Sequence, residues 1–89
     1  MKFVIEDRAH GNCKSYPTFD EALAELLSRS KINWDEEPNK CPCKSWRTCE
    51  RRYHILEMDD SVKPPRLISD MKIFTISFRG IQWHTTIIN

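Results

Sequence analysis

TFDEALAELLSR, residues 18–29, carries the clearest structural signal in the chain. Thr18 suits a helix N-cap, because its hydroxyl can accept from a backbone amide in the first turn. Glu21, three residues on, can reach back to the Thr18 amide. Asp20 and Glu21 sit where the helix dipole favours negative charge. Phe19, Leu23, Leu26 and Leu27 recur on one helical face with Ala22 beside them, and Glu25 and Arg29 lie four apart on the outside. The pattern predicts one amphipathic helix ending between Ser28 and Ser30.

The segments around it read differently. Lys2–Glu6 alternates, with Phe3 and Ile5 on one side, as a half-buried strand does. Gly11-Asn12 reads as a turn, since both residues tolerate positive φ. Arg51–Asp59 predicts a second strand with apolar residues on both sides, Tyr53 and Ile55 against Leu56 and Met58. That pattern predicts a central strand covered, at least in part, on both faces. Lys63-Pro64-Pro65-Arg66 breaks the chain. Lys72–Phe78 alternates through Phe74, Ile76 and Phe78. Arg79-Gly80 forms a turn, and Ile81–Ile88 returns with Ile81, Trp83, Thr85 and Ile87 together. The glycine at the second turn position suits a hairpin that needs positive φ. The expected class is α+β: one domain over residues 1–89, in the order β-α-β-β-β, with the helix on a largely antiparallel sheet.

A chain of 89 residues buries only roughly 60–65% of its unfolded surface, so an added staple would help it. Hydrophobic content of 39% and charged content of 30% belong to a globular protein. A net charge of +1 supplies no global drive toward nucleic acid or acidic membranes. The first residues, MKFVIEDR, lack the apolar core of a signal peptide, and no stretch reaches the length of a membrane span. The expected compartment is the reducing cytoplasm, where thiols stay free or bind metal.

Residues 31–48 show no period. This segment holds the acidic run Asp35–Glu37, the turn signal Pro38-Asn39 and most of CPCKSWRTC, residues 41–49. An irregular stretch of this length in a small chain is usually functional or stapled. Cys41, Cys43 and Cys49 lie within it, and Cys13 falls in the expected loop after the first strand. Four thiolates suit structural zinc, and His10 can stand in for one of them. Lys40, Lys44 and Arg47 would offset the charge of such a site. C-x-C followed by C-x5-C is a less usual spacing than paired C-x2-C hooks, so unligated thiols, with Cys49 buried as a small hydrophobe, are the plain alternative.

The same stretch permits a second use. Lys40, Lys44, Arg47, Arg51 and Arg52 surround Trp46, with Tyr53 and Trp34 near, and cations with interleaved aromatics can hold phosphates and stack on bases. A solvated loop face with Trp46 as a core lid explains the same residues. A third use is thiol redox sensing, which basic neighbours favour but the missing C-x-x-C at a helix start does not. His54, His84 and the carboxylates Glu57, Asp59 and Asp60 have ordinary structural explanations. No nucleophile motif or glycine-rich phosphate loop is present. The chain therefore reads as a non-catalytic binding or adaptor module. Its expected partner is another protein, with nucleic acid as the alternative and no membrane, and a sheet edge is available for pairing with a second copy.

Overall fold

The computed structural model describes residues 1–11 and 13–84. Asn12 of the anticipated Gly-Asn turn, and residues 85–88 of the anticipated last strand, lie outside that set. The elements are β1 (Lys2–Asp7), β2 (Cys13–Tyr16), α1 (Phe19–Arg29), β3 (Glu50–Asp59), β4 (Arg66–Ser77) and β5 (Gly80–Trp83). The strands form one antiparallel sheet in the order β2-β1-β3-β4-β5. The α+β class and the central place of β3 agree with expectation. The element order is β-β-α-β-β-β rather than β-α-β-β-β, because residues 13–16 pair with β1 as an edge strand.

Thr18 caps α1, accepting from the Glu21 amide at 3.2 Å. The Glu21 carboxylate accepts from the Thr18 hydroxyl. Arg29 and Glu25 form the expected ion pair at 3.3 Å. The buried stripe is rotated from the expected one. Ala22 and Leu26 are fully buried, Phe19 and Leu23 pack on the core from its margin, and Leu27 is only half-buried. A small alanine at the centre of the stripe lets the helix sit close to the sheet.

The sheet face under α1 carries Ile5, Tyr53, Ile55, Phe74 and Ile76, all buried. Tyr53 and Phe74 meet edge-on at 5.1 Å, and Trp83 tilts against Phe74 at 5.0 Å. The second face of the sheet has no helix on it among the described residues, so β3 is layered on one side only. His54 and Leu56 are nevertheless buried there.

β4 begins six residues before the expected Lys72, straight after the proline break. It bulges twice against β3, between Tyr53 and His54 and between Glu57 and Met58. At the first bulge Tyr53 pairs with Phe74 and His54 with Lys72, so Ile73 is the extra residue. Ile73 and Phe74 are consecutive yet both buried, which strict alternation forbids and a bulge permits. Phe78, expected to continue the strand on the face of Phe74 and Ile76, is in the turn and exposed. The register pairs Ser77 with Gly80, which makes Phe78-Arg79 the two central turn residues. Gly80 therefore follows the turn centre, and it supplies the positive φ, at 100°. No helix among the described residues is long and apolar enough to cross a membrane.

Candidate metal centre

Antiparallel pairing sets Asp7 at the end of β1 opposite Tyr53 near the start of β3. The turn after β1 therefore meets the segment entering β3. His10 lies in that turn and Cys49 immediately precedes β3. His10 Nε2 is 3.2 Å from Cys49 Sγ and 3.9 Å from Cys43 Sγ. The ligand atoms of His10, Cys41 and Cys49 all lie within 4.8 Å of one another. Cys41 is buried; His10, Cys43 and Cys49 are half-buried. These four residues lie close enough together to hold a metal ion.

Cys13 does not join them. It is exposed at the start of edge strand β2, and its Sγ donates to the Gly11 carbonyl oxygen at 3.6 Å. His10, the alternative considered for Cys13, is the residue that lies beside Cys49 and Cys43. In β2, Cys13 pairs with Glu6, whereas His10 sits at the tip of the turn that faces the cysteine loop.

The imidazole is fixed from behind. His10 Nδ1 lies 2.8 Å from Asp7 Oδ2. Asp7 is fully buried and accepts from the amides of Ala9 and Arg52 and from Arg51 Nη1. Burial raises its pKa, but the hydrogen bonds from the Arg52 amide, His10, the Ala9 amide and Arg51 outweigh that and leave it lowered. An ionised Asp7 can only accept, so Nδ1 carries a proton, and in the neutral imidazole this leaves the Nε2 lone pair on the side of the sulfurs. A carboxylate behind a histidine ligand is the usual outer support of a metal site.

The thiols differ among themselves. Burial, then the hydrogen bond and charge of Cys49, push Cys41 up to about 12. The Ser45 hydroxyl, then His10 and Cys49, lower Cys43 to about 7. All four cysteines are free.

Two residues that the sequence reading passed over hold this arrangement in place. Asp7 is one. Asn39, read only as half of a turn signal, is the other: it is buried, and its Nδ2 donates to the Arg29 and Ile32 carbonyls at 2.8 and 2.9 Å. Its Oδ1 accepts from the Tyr53 hydroxyl at 3.0 Å. Arg51 completes the lock, donating to the Asn39 and Lys40 carbonyls as well as to Asp7. The irregular segment is thus tied to the end of α1 and the start of β3.

The basic residues of the loop separate accordingly. Arg51 is buried and fully engaged, so it is not a phosphate contact as anticipated. Lys44, Arg47 and Arg52 are exposed, and Lys40 and Trp46 half-buried. Lys40 and Arg47 each sit 4.6 Å from the Trp46 ring, which also packs on Trp34 at 5.6 Å. No family model, curated protein or solved structure matches this chain.

Proposed function

We propose that the chain is a small non-catalytic binding module whose irregular segment, residues 31–49, is stapled to the sheet by one structural zinc on His10, Cys41, Cys43 and Cys49. The observation that carries this reading is the position of His10, with one ring nitrogen on buried Asp7 and the other facing Cys49 and Cys43. Three sulfurs and one imidazole suit the borderline softness of zinc and its tetrahedral preference. Four protein ligands leave no open position, which favours a structural rather than a catalytic ion. The thin core of a short chain gives the ion a purpose, since binding energy at a site formed only in the fold is folding energy. Metal analysis of protein purified without chelator tests it: the reading needs about one zinc per chain, lost on Cys41→Ser. A metal-free protein whose melting temperature ignores chelator speaks for unligated thiols instead.

The module's ligand on this reading is another protein. Nucleic acid is the second candidate, favoured by the exposed cations Lys44 and Arg47 and by the Trp34–Trp46 pair beside them. Thiol redox sensing draws on the low pKa of Cys43 and competes with zinc for the same sulfur.

A further inference from the structure

The sheet face away from α1 holds a groove of about 550 Å³ that neither the zinc reading nor the binding-module reading uses. Its floor follows from the register. Arg52, Thr75 and Gln82 stand side by side on β3, β4 and β5, and His54 and Lys72 form the adjoining row. Directly paired residues on one face lie about 4.5–5.5 Å apart, so the two rows make a compact bed of hydrogen-bond donors.

The bulge at Ile73 builds this bed. Counting back from Phe74 without it, Lys72 would point toward the core and Ile73 into the groove. The extra residue turns Ile73 inward and sets Lys72 opposite His54 on the open face. The charges there are unequally engaged. Arg8 is held by Glu6 and Asp70, and Asp70 also takes His54 Nδ1 at 2.6 Å. Arg52 has only Glu50, at 3.5 Å with both side chains about half exposed. Lys72 has no ion-pair partner among the described residues.

We infer that this groove binds a phosphate group, with Lys72 and Arg52 as the cationic contacts and Gln82 as a neutral donor, beside the Thr75 hydroxyl that pairs with His84 Nε2 at 2.7 Å. An anion bound there competes with Glu50 for Arg52. Of the aromatic residues in the lining, Tyr53 and Phe74 are buried in the core, and the His54 and His84 rings are held by Asp70 and Thr75, so the recognised element is the phosphate itself, as the free ion or as the end of a phosphomonoester. None of the groove residues is a zinc ligand, and the titration below can be run on the zinc-loaded and the metal-free chain, so this inference and the zinc reading fail separately.

The test is a titration of the full chain with inorganic phosphate, followed by amide NMR. Saturable shifts should centre on Arg52, His54, Lys72, Thr75 and Gln82. Lys72→Gln should weaken binding about tenfold, as expected for loss of one charge-assisted contact. Glu50→Gln should strengthen it by freeing Arg52, an effect that misfolding cannot imitate. Lys14→Gln, on edge strand β2, should change nothing. A parallel titration with glycerol phosphate identifies the source: tighter binding marks a phosphomonoester ligand, and equal binding marks the ion. Shifts that never saturate, that spread over all basic residues, or that persist unchanged in both Lys72→Gln and Glu50→Gln overturn the inference.

Discussion

Arg51 Nη1 donates to Asp7 Oδ2 at 3.1 Å, and both side chains are buried. This pair joins the end of β1 to the start of β3 beneath the cysteine loop. Taking two charges out of water is costly, and here every guanidinium nitrogen and both carboxylate oxygens have at least one hydrogen-bond partner. Asp7→Asn keeps the shape but leaves the guanidinium without its counter-charge. The expected loss is about 3–5 kcal/mol in urea unfolding of the metal-free protein. The same variant should lower zinc affinity about 10–100-fold, since it also loosens the support behind His10. Unchanged stability would show that the pair is solvated in solution.

Thr18 is a simpler case. Its hydroxyl satisfies the Glu21 amide at the start of α1. Thr18→Ala should cost about 1 kcal/mol, and Thr18→Asp should recover most of it. Denaturant midpoints measured at constant slope decide this.

Gly80 separates strain from clash. Its φ is 100°, and a Cβ built there meets nothing within 4 Å. Gly80→Val should therefore destabilise by about 1–2 kcal/mol through backbone conformation alone, and Gly80→Asn by less. Equal costs for the two would place the penalty elsewhere.

The basic loop has its own test. Nucleic-acid binding through it requires that Lys44→Glu with Arg47→Glu abolish binding, and that wild-type affinity fall steeply with salt. Binding that is absent or flat in salt leaves a protein partner as the module's ligand. Arg51→Glu is unsuitable as a probe, because it would break the buried pair with Asp7 before it altered any surface.

How far the fold could be read in advance depended on how local each signal is. The Thr18 cap and the Glu25–Arg29 pair are contacts within one turn or so of helix, and they are found as expected. β3 showed its central place by carrying apolar residues on both sides. β2 gave no sign, because Cys13-Lys14-Ser15-Tyr16 is an edge strand with three exposed residues and nothing to alternate. The early part of β4 was hidden behind Pro64-Pro65, and its bulges shift the alternation that would otherwise reveal it. The metal candidates were legible as residue types. The choice between His10 and Cys13 was not, because it depends on which of them the turn after β1 carries toward Cys49, a consequence of strand pairing across some forty residues. The buried roles of Asn39 and Arg51 were hidden for the same reason; their partners Tyr53 and Asp7 are distant in sequence.

Zinc X-ray absorption of the full chain, purified without chelator, tests the central claim most directly. The account predicts about one zinc per chain, with three sulfurs at about 2.3 Å and one imidazole nitrogen at about 2.0–2.1 Å. The spectrum should be unchanged in Cys13→Ser and should lose its nitrogen contribution in His10→Ala. A shell of four sulfurs, with Cys13 required, would contradict the placement of His10, and a protein that binds no zinc would contradict the account itself.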